Sequence, residues 1–363
     1  MLAGTLAYAV AEAVRPRQGP ARLLDWDEIR RLARARVRGG GTLSKTQRET
    51  LAAEYNRLAQ KVEPHLLRAV GGLPAGVGLP PFDAIDRKGW VDLNIGILRR
   101  AMEPIMDTAS RLPNSRIVDF GRAGMDRYVA YVLAFLARRV LGQFDPQLAA
   151  QELIDDPEIA GELYLVEPNI ASWQAEANLD GEELRRWLIL HEMTHAWQFA
   201  AHPWLRRHLN GMLQEVIGLA TQGKRDPWSQ LVSMTVGLPK QWLVVRRMQA
   251  TMTLIEGYSN LVMNLVGRDL LPGFDRLEAA YRRRSAHKSP LEVAFWKLTG
   301  LDLKLQQYAR GEAFARKVYD AHGMEVLNLA WRGPESLPRL EELDHPEDWY
   351  SRVAEKPAGR SRA

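Results

Sequence analysis

The sequence predicts a mainly α chain with a small β component, an α+β fold. Three observations predict it. Apolar residues recur at helical spacing over most of the chain, capping residues stand at several helix starts, and one short β-compatible stretch interrupts the helices.

The first helix is expected around WDEIRRLARARVR, from near Asp25 to the stop at Gly39, Gly40 and Gly41. Ser44 reads as the N-cap of a second, which runs through TQRETLAAEYNRLAQKVEPHLLRAV to the loop GGLPAGVGLPP. Two more helices are expected, from Lys88 to about Ser110 and from about Asp126 to Val140. Residues 1–150 therefore read as a mainly helical region packed on the catalytic part of the chain. The strand candidate is 161–170, GELYLVEPNI, ended by Pro168. Asp180 then caps a long helix, from about Gly181 to Ala201, and further helices are expected at about 205–220, 240–266, 291–299 and 302–321. WRGPESLPRLEELDHPEDWY holds too many prolines for a regular helix, so the second region is read as 151–345 and residues 346–363 as a partly disordered tail.

Composition narrows the function classes. With 363 residues, 46% hydrophobic and 26% charged, the chain can bury a large core, which argues against disorder. The net charge of +5 is small for this length and does not call for nucleic acid. Arg30, Arg31, Arg34, Arg36 and Arg38, and the run Arg282-Arg283-Arg284, read as solvated faces because no aromatic platform accompanies them. Absence of cysteine excludes disulfides and thiolate zinc sites. No stretch reaches the roughly 18 apolar residues of a membrane span, and the N-terminus lacks a signal-peptide pattern. A soluble cytoplasmic protein, with no membrane or nucleic-acid partner, is the expectation.

Residues 191–195 read His-Glu-Met-Thr-His. Two histidines four apart on a helix present two imidazoles from one face, where a single zinc ion takes both. Glu192 lies about 100° around the helix, placed to act on water rather than to ligate. Leu184, Leu188, His191 and His195 form one apolar line, so both imidazoles face inward. The competing reading is an inward histidine that is simply hydrogen-bonded in the core.

A catalytic zinc keeps three protein ligands. A histidine six residues after His195 would complete one known spacing, but Ala201 stands there, and His202 is one residue late. Glu256 is the better candidate. It interrupts the line Val245, Met248, Met252, Glu256, Ser259, Met263, and a buried carboxylate needs a cation or a proton. The alternative is a core Glu256 paired with Arg246 or Arg247. Gly257 would let a backbone or a substrate come close. Asn260, one turn on, could accept from a ligand histidine's ring N–H.

The runs LHEMTHAWQFAAHPWLRRHL, TLIEGYSNLVMN, GLDLKLQQYARGEAF and LNLAWRGPESLP resemble the zincin-like metallopeptidases of an actinobacteria-centred family of unknown function, some of whose members are associated with coenzyme F420 biosynthesis. Asp86-Arg87-x-x-Trp90-x-x-x-Asn94 and Leu141-Gly-Gln-Phe-Asp145-Pro146 resemble its N-terminal signatures. The resemblance implies a zincin fold with a mixed sheet, an active-site helix, and Glu256 as third ligand. Two positions depart from the pattern: Tyr258, where many relatives have His, and Asn260, where the wider group often has Asp.

The expected activity is zinc-dependent hydrolysis, with Glu192 as general base. Tyr258 and Tyr308 are candidate donors to a tetrahedral intermediate, and Lys304 stands one turn before Tyr308. The strand at 161–167 could pair with an extended chain, which would make the substrate a peptide or protein. A catalytically silent zincin-fold interaction protein is the alternative reading.

Overall fold

Asp25 caps α1 (Trp26–Arg36), its carboxylate accepting from the Asp27 and Glu28 N–H groups. Ser44 caps α2 (Lys45–Val70) in a reciprocal box with Gln47, and Gly71 closes α2 in the left-handed region at φ 97°. The structure, a computed structural model, describes residues 24–37, 41–109, 116–148, 161–221, 227–286 and 301–354; over 107–109, 116–121, 219–221, 227–241, 285–286 and 301–309, and at 104, 105 and 217, it describes the helical backbone alone. The helix expected at 291–299, residues 1–23 and the chain after 354 lie outside the described residues.

Next come β1 (Phe82–Ile85), α3 (Arg87–Ala109), α4 (Arg116–Ala137), β2 (Gly142–Asp145) and β3 (Glu162–Val166). They are followed by α5 (Glu167–Ala177), α6 (Gly181–Ala201), α7 (Trp204–Thr221), α8 (Pro227–Leu270), α9 (Phe274–Ala286) and α10 (Leu301–Leu327). Two short 3-10 turns, Asn328–Arg332 and Pro334–Ser336, lead to α11 (Pro346–Ala354). The fold is mainly helical with one small mixed sheet. Among the described residues, no helix is long and apolar enough to cross a membrane.

Several expectations are corrected. The strand ends at Val166, and Pro168 stands in the first turn of α5, where a missing N–H costs nothing. α8 begins at Pro227 rather than near 240. Residues 346–354 of the expected tail form α11, whose Trp349 is fully buried and donates to the Ser336 carbonyl at 2.8 Å.

The sheet has the order β1–β3–β2, with β1 parallel and β2 antiparallel to β3. β3 is therefore central. Both its edges are occupied, so it cannot take the extended chain expected to pair with it. Val166 N–H donates to the Leu141 carbonyl at 2.8 Å. Alternation then points the backbone groups of Gln143 and Asp145 at β3 and those of Gly142 and Phe144 outward. On the other side α2 lies along β1, and the Asn56 amide bonds both backbone groups of Phe82, at 2.8 and 3.0 Å.

The main core is built from both sides of residue 150. Tyr55, Leu58 and Leu66 of α2 pack with Leu163 and Leu165 of β3, Leu190 and Met193 of α6, and Leu254 and Leu261 of α8. A second cluster joins α1, α3 and α4 through Ile29, Trp90, Ile95 and Ala130, reaching the sheet at Val166. α6 is buried on nearly all sides, as expected of a helix at the centre of a large core.

Candidate metal centre

Asp180 starts α6 by accepting from Glu183 N–H at 2.8 Å. Three turns on, His191 and His195 project together. Their Nε2 atoms lie 3.2 Å apart, with ring planes at 87°. Glu256 enters from α8, with Oε2 at 3.6 Å from His195 Nε2 and 3.8 Å from His191 Nε2. The two arginines that could have claimed Glu256 are engaged elsewhere, Arg246 with Glu341 and Arg247 with Glu215. The structure thus brings His191, His195 and Glu256 together as one cluster.

This donor set fits a divalent ion. A tetrahedral zinc with Zn–N bonds of about 2.0–2.1 Å holds its nitrogens about 3.3–3.4 Å apart, close to what the two imidazoles already show. Two imidazoles and a carboxylate, with no thiolate, also match the hard to borderline character of zinc.

Glu192 is buried beside the trio, 7% exposed. It accepts from the Phe144 N–H, one of the outward-facing groups of β2. Gly142 stands over it: a Cβ there would lie 2.6 Å from Glu192 Oε1. The glycine of the Leu141–Pro146 signature is thus what lets the strand approach the carboxylate. Burial pushes Glu192 up to about 7, against the pull of His195, with Glu256 adding to the rise. Burial also drives His191 down to about 4, His195 lowering it further, so His191 is neutral near pH 7. His195 goes the other way, to about 9, because Glu256 and Glu192 outweigh its burial.

The rest of the N-terminal signatures hold β2 in place. Asn94 and Gln143 exchange amide hydrogen bonds at 3.0 and 3.4 Å. Asp145 is buried, faces Arg100 at 3.5 Å and accepts from Gln147 N–H at 2.8 Å. Arg206 Nε donates to the Pro146 carbonyl at 2.8 Å, tying α7 to the end of the strand. Asp86 accepts from Gly89 and Leu43 N–H groups, and Arg87 donates to Asn169 at 2.6 Å.

Gly257 meets a backbone, not a substrate. A Cβ there would lie 2.0 Å from the Gly311 carbonyl carbon, so α8 and α10 touch main chain to main chain beside Glu256. Tyr258 turns away from the cluster. It is fully buried, stacks on Trp197 at 5.6 Å, and donates to Asn328 Oδ1 at 2.8 Å. Its hydroxyl is committed to the core, which removes the reason for reading it as a donor to a reacting group. The side chains of Tyr308 and Lys304 lie outside the described residues. His202 caps α6 and stacks on Trp331 at 5.7 Å, in the aromatic core with Trp197 and Tyr258.

Sequence reasoning missed Gln198 and Ser259. Gln198 Oε1 lies 3.1 Å, and Ser259 Oγ 3.2 Å, from His195 Nδ1. They take the position proposed for Asn260. The available signal was a glutamine one turn after His195 within the apolar run Ala196-Trp197-Gln198-Phe199.

Comparison with known proteins agrees with this geometry. The profile of a family described as zincin-like metallopeptidase matches residues 24–350. A crystal structure from Chloroflexus aurantiacus, described as a proposed hydrolase with a novel fold, is 32% identical with a TM-score of 0.68, over 92% of this chain and 100% of that one. No curated protein matches.

Proposed function

The chain belongs to the zincin-like metallopeptidase family, and on that premise we propose that it is a zinc-dependent peptidase in which Glu192 is the general base. The observation that carries the proposal is the convergence of His191, His195 and Glu256 on one point, with the buried carboxylate of Glu192 beside it. The description of the Chloroflexus aurantiacus relative supports hydrolysis as the reaction class.

His191 Nε2, His195 Nε2 and a Glu256 carboxylate oxygen would hold the ion. Zinc, when bound, supplies Lewis acidity toward water and a carbonyl oxygen. Glu192 takes the proton from the attacking water and returns it to the leaving amine. Burial holds its carboxyl above the ordinary carboxylate range, which suits a group that must take up a proton and give it back. The outward edge of β2 adjoins this carboxylate, and an extended chain laid against that edge would set its peptide bond close to Glu192. This supports a peptide or protein substrate over a small metabolite.

The test is elemental analysis with a peptide-library digest. The parent chain should carry about one zinc and cleave, and His195→Ala and Glu256→Ala should lose the metal. Glu192→Gln should keep the metal and lose turnover. Equal turnover by Glu192→Gln would remove its assignment as base.

A further inference from the structure

We propose that Gln198 is the positioning residue of the metal centre: it selects the metal-ready tautomer of His195 and ties that histidine to the helix carrying Glu256. The proposal rests on the zinc reading of the site.

Hydrogen-bond logic carries it. Gln198 reaches from α6 to α8, where one end of its amide lies 3.0 Å from the Ile255 carbonyl oxygen. A carbonyl only accepts, so that end is the NH2 group. The other end is then the oxygen, and it faces His195 Nδ1 at 3.1 Å. An amide oxygen also only accepts, so His195 carries a proton on Nδ1, and Nε2 is the nitrogen that offers its lone pair once the ring is neutral. Nε2 is the nitrogen aimed at His191 and Glu256. The orientation thus follows from one backbone carbonyl, without any proton being located.

Ser259 completes the arrangement. Its Oγ donates to the same Ile255 carbonyl at 3.0 Å, which leaves its lone pairs facing His195 Nδ1 at 3.2 Å. His195, Gln198 and Ser259 are all buried. Water is therefore a poor substitute for any of these partners, and a lost bond leaves a buried polar atom unpaired.

The arrangement also joins the two halves of the cluster. Ile255 immediately precedes Glu256, so the bond that orients Gln198 is anchored on the peptide next to the third ligand. A shift of α8 relative to α6 would move Glu256 and turn the Gln198 amide together. Coordination partners of this kind commonly change metal affinity by about 10–100-fold when removed.

Gln198→Met keeps volume and removes both bonds. Gln198→Glu keeps an acceptor for Nδ1–H but cannot donate to Ile255. Zinc affinity is measured by competition with a chelator, and the His195 tautomer by ring-nitrogen NMR of the metal-free protein above pH 9, where the ring is neutral. The expected result is a dominant Nδ1–H tautomer in the parent, a smaller Nδ1–H share with zinc bound about 10–100-fold more weakly in Gln198→Met, where Ser259 still faces Nδ1, and recovery of the tautomer in Gln198→Glu. Unchanged zinc affinity in a folded Gln198→Met, or a dominant Nε2–H tautomer in the parent, would overturn the proposal. If Gln198→Met does not fold, the parent tautomer and Gln198→Glu decide. A parent that binds no zinc at all sinks the metal reading itself, a different failure from a parent that binds zinc while Gln198→Met binds it equally well.

Discussion

Gly142 occupies the position at which any side chain would strike the carboxylate of Glu192. The clash is with the far end of a flexible side chain, 2.6 Å from Oε1, so the carboxylate can yield where a backbone could not. Gly142→Ala should therefore displace Glu192 and leave the fold intact. A misplacement of about 1 Å can cost about 100-fold in rate, so kcat/KM on a library-derived peptide should fall by about that factor. Zinc content and melting temperature should stay near those of the parent; a parallel loss of zinc would show that β2 supports the ligands as well.

The contact between Gly257 and Gly311 predicts the opposite behaviour. A methyl group on Gly257 would meet the Gly311 carbonyl carbon at 2.0 Å, and one on Gly311 would meet the Thr253 carbonyl oxygen at 2.0 Å. Neither obstacle is a movable side chain, so the helices must separate. Gly257→Ala should lower stability by about 1–3 kcal/mol or more, read as a fall in the urea midpoint. Because Glu256 is the preceding residue, zinc affinity should fall as well.

Glu342 anchors the C-terminal segment. Its carboxylate takes two hydrogen bonds from Arg352, both at 2.7 Å, and one from Arg339 N–H at 2.8 Å. Burial pulls Glu342 upward, but these bonds outweigh it and hold the group below its ordinary value of 4.5. A depressed carboxylate stabilises the fold above its unfolded value and loses that contribution as pH falls through the folded one. Glu342→Gln should thus be less stable than the parent at about pH 7, with the gap closing as pH drops below 4.5 toward about pH 3. Denaturant midpoints over that range check it; a gap that widened on acidification would refute the sign.

Arg185 lies against Glu167, whose other oxygen accepts from the Tyr55 hydroxyl. This cluster joins α2, α5 and α6 near the start of the helix that carries His191 and His195. Arg185→Met would leave the Glu167 carboxylate without its cation, at a cost of about 3–5 kcal/mol. Tyr55→Phe removes one neutral donor and should cost about 1–3 kcal/mol. Equal losses in the two variants would show that charge is not what distinguishes them.

Much of this was readable in the residues because it is local. Asp25, Ser44 and Asp180 mark helix starts through bonds spanning two or three residues, and the His191–His195 spacing works within one helix. Glu256 was legible as a carboxylate on an apolar seam, although Val245, the first residue of that line, is exposed. The two four-residue strands were not legible, because β1 and β2 owe their form to β3 rather than to their own pattern. Tyr258 misled for a related reason. Two positions along a helix is about 200° of rotation, which carries its ring away from Glu256. The parts played by Gly142 and Gln198 depend on approaches between separate elements, which no spacing encodes.

The amide of Asn56 has one more consequence, for how molecules of this protein can associate. Growth of a sheet into a fibre by strand addition requires each added copy to offer a fresh edge for the next. Here one side is already closed, with Asn56 bonded to both backbone groups of Phe82 and α2 laid along β1. A strand added at β2 would end the series rather than begin one. Two copies could join edge to edge, but among the described residues a third would find no free strand edge to template on.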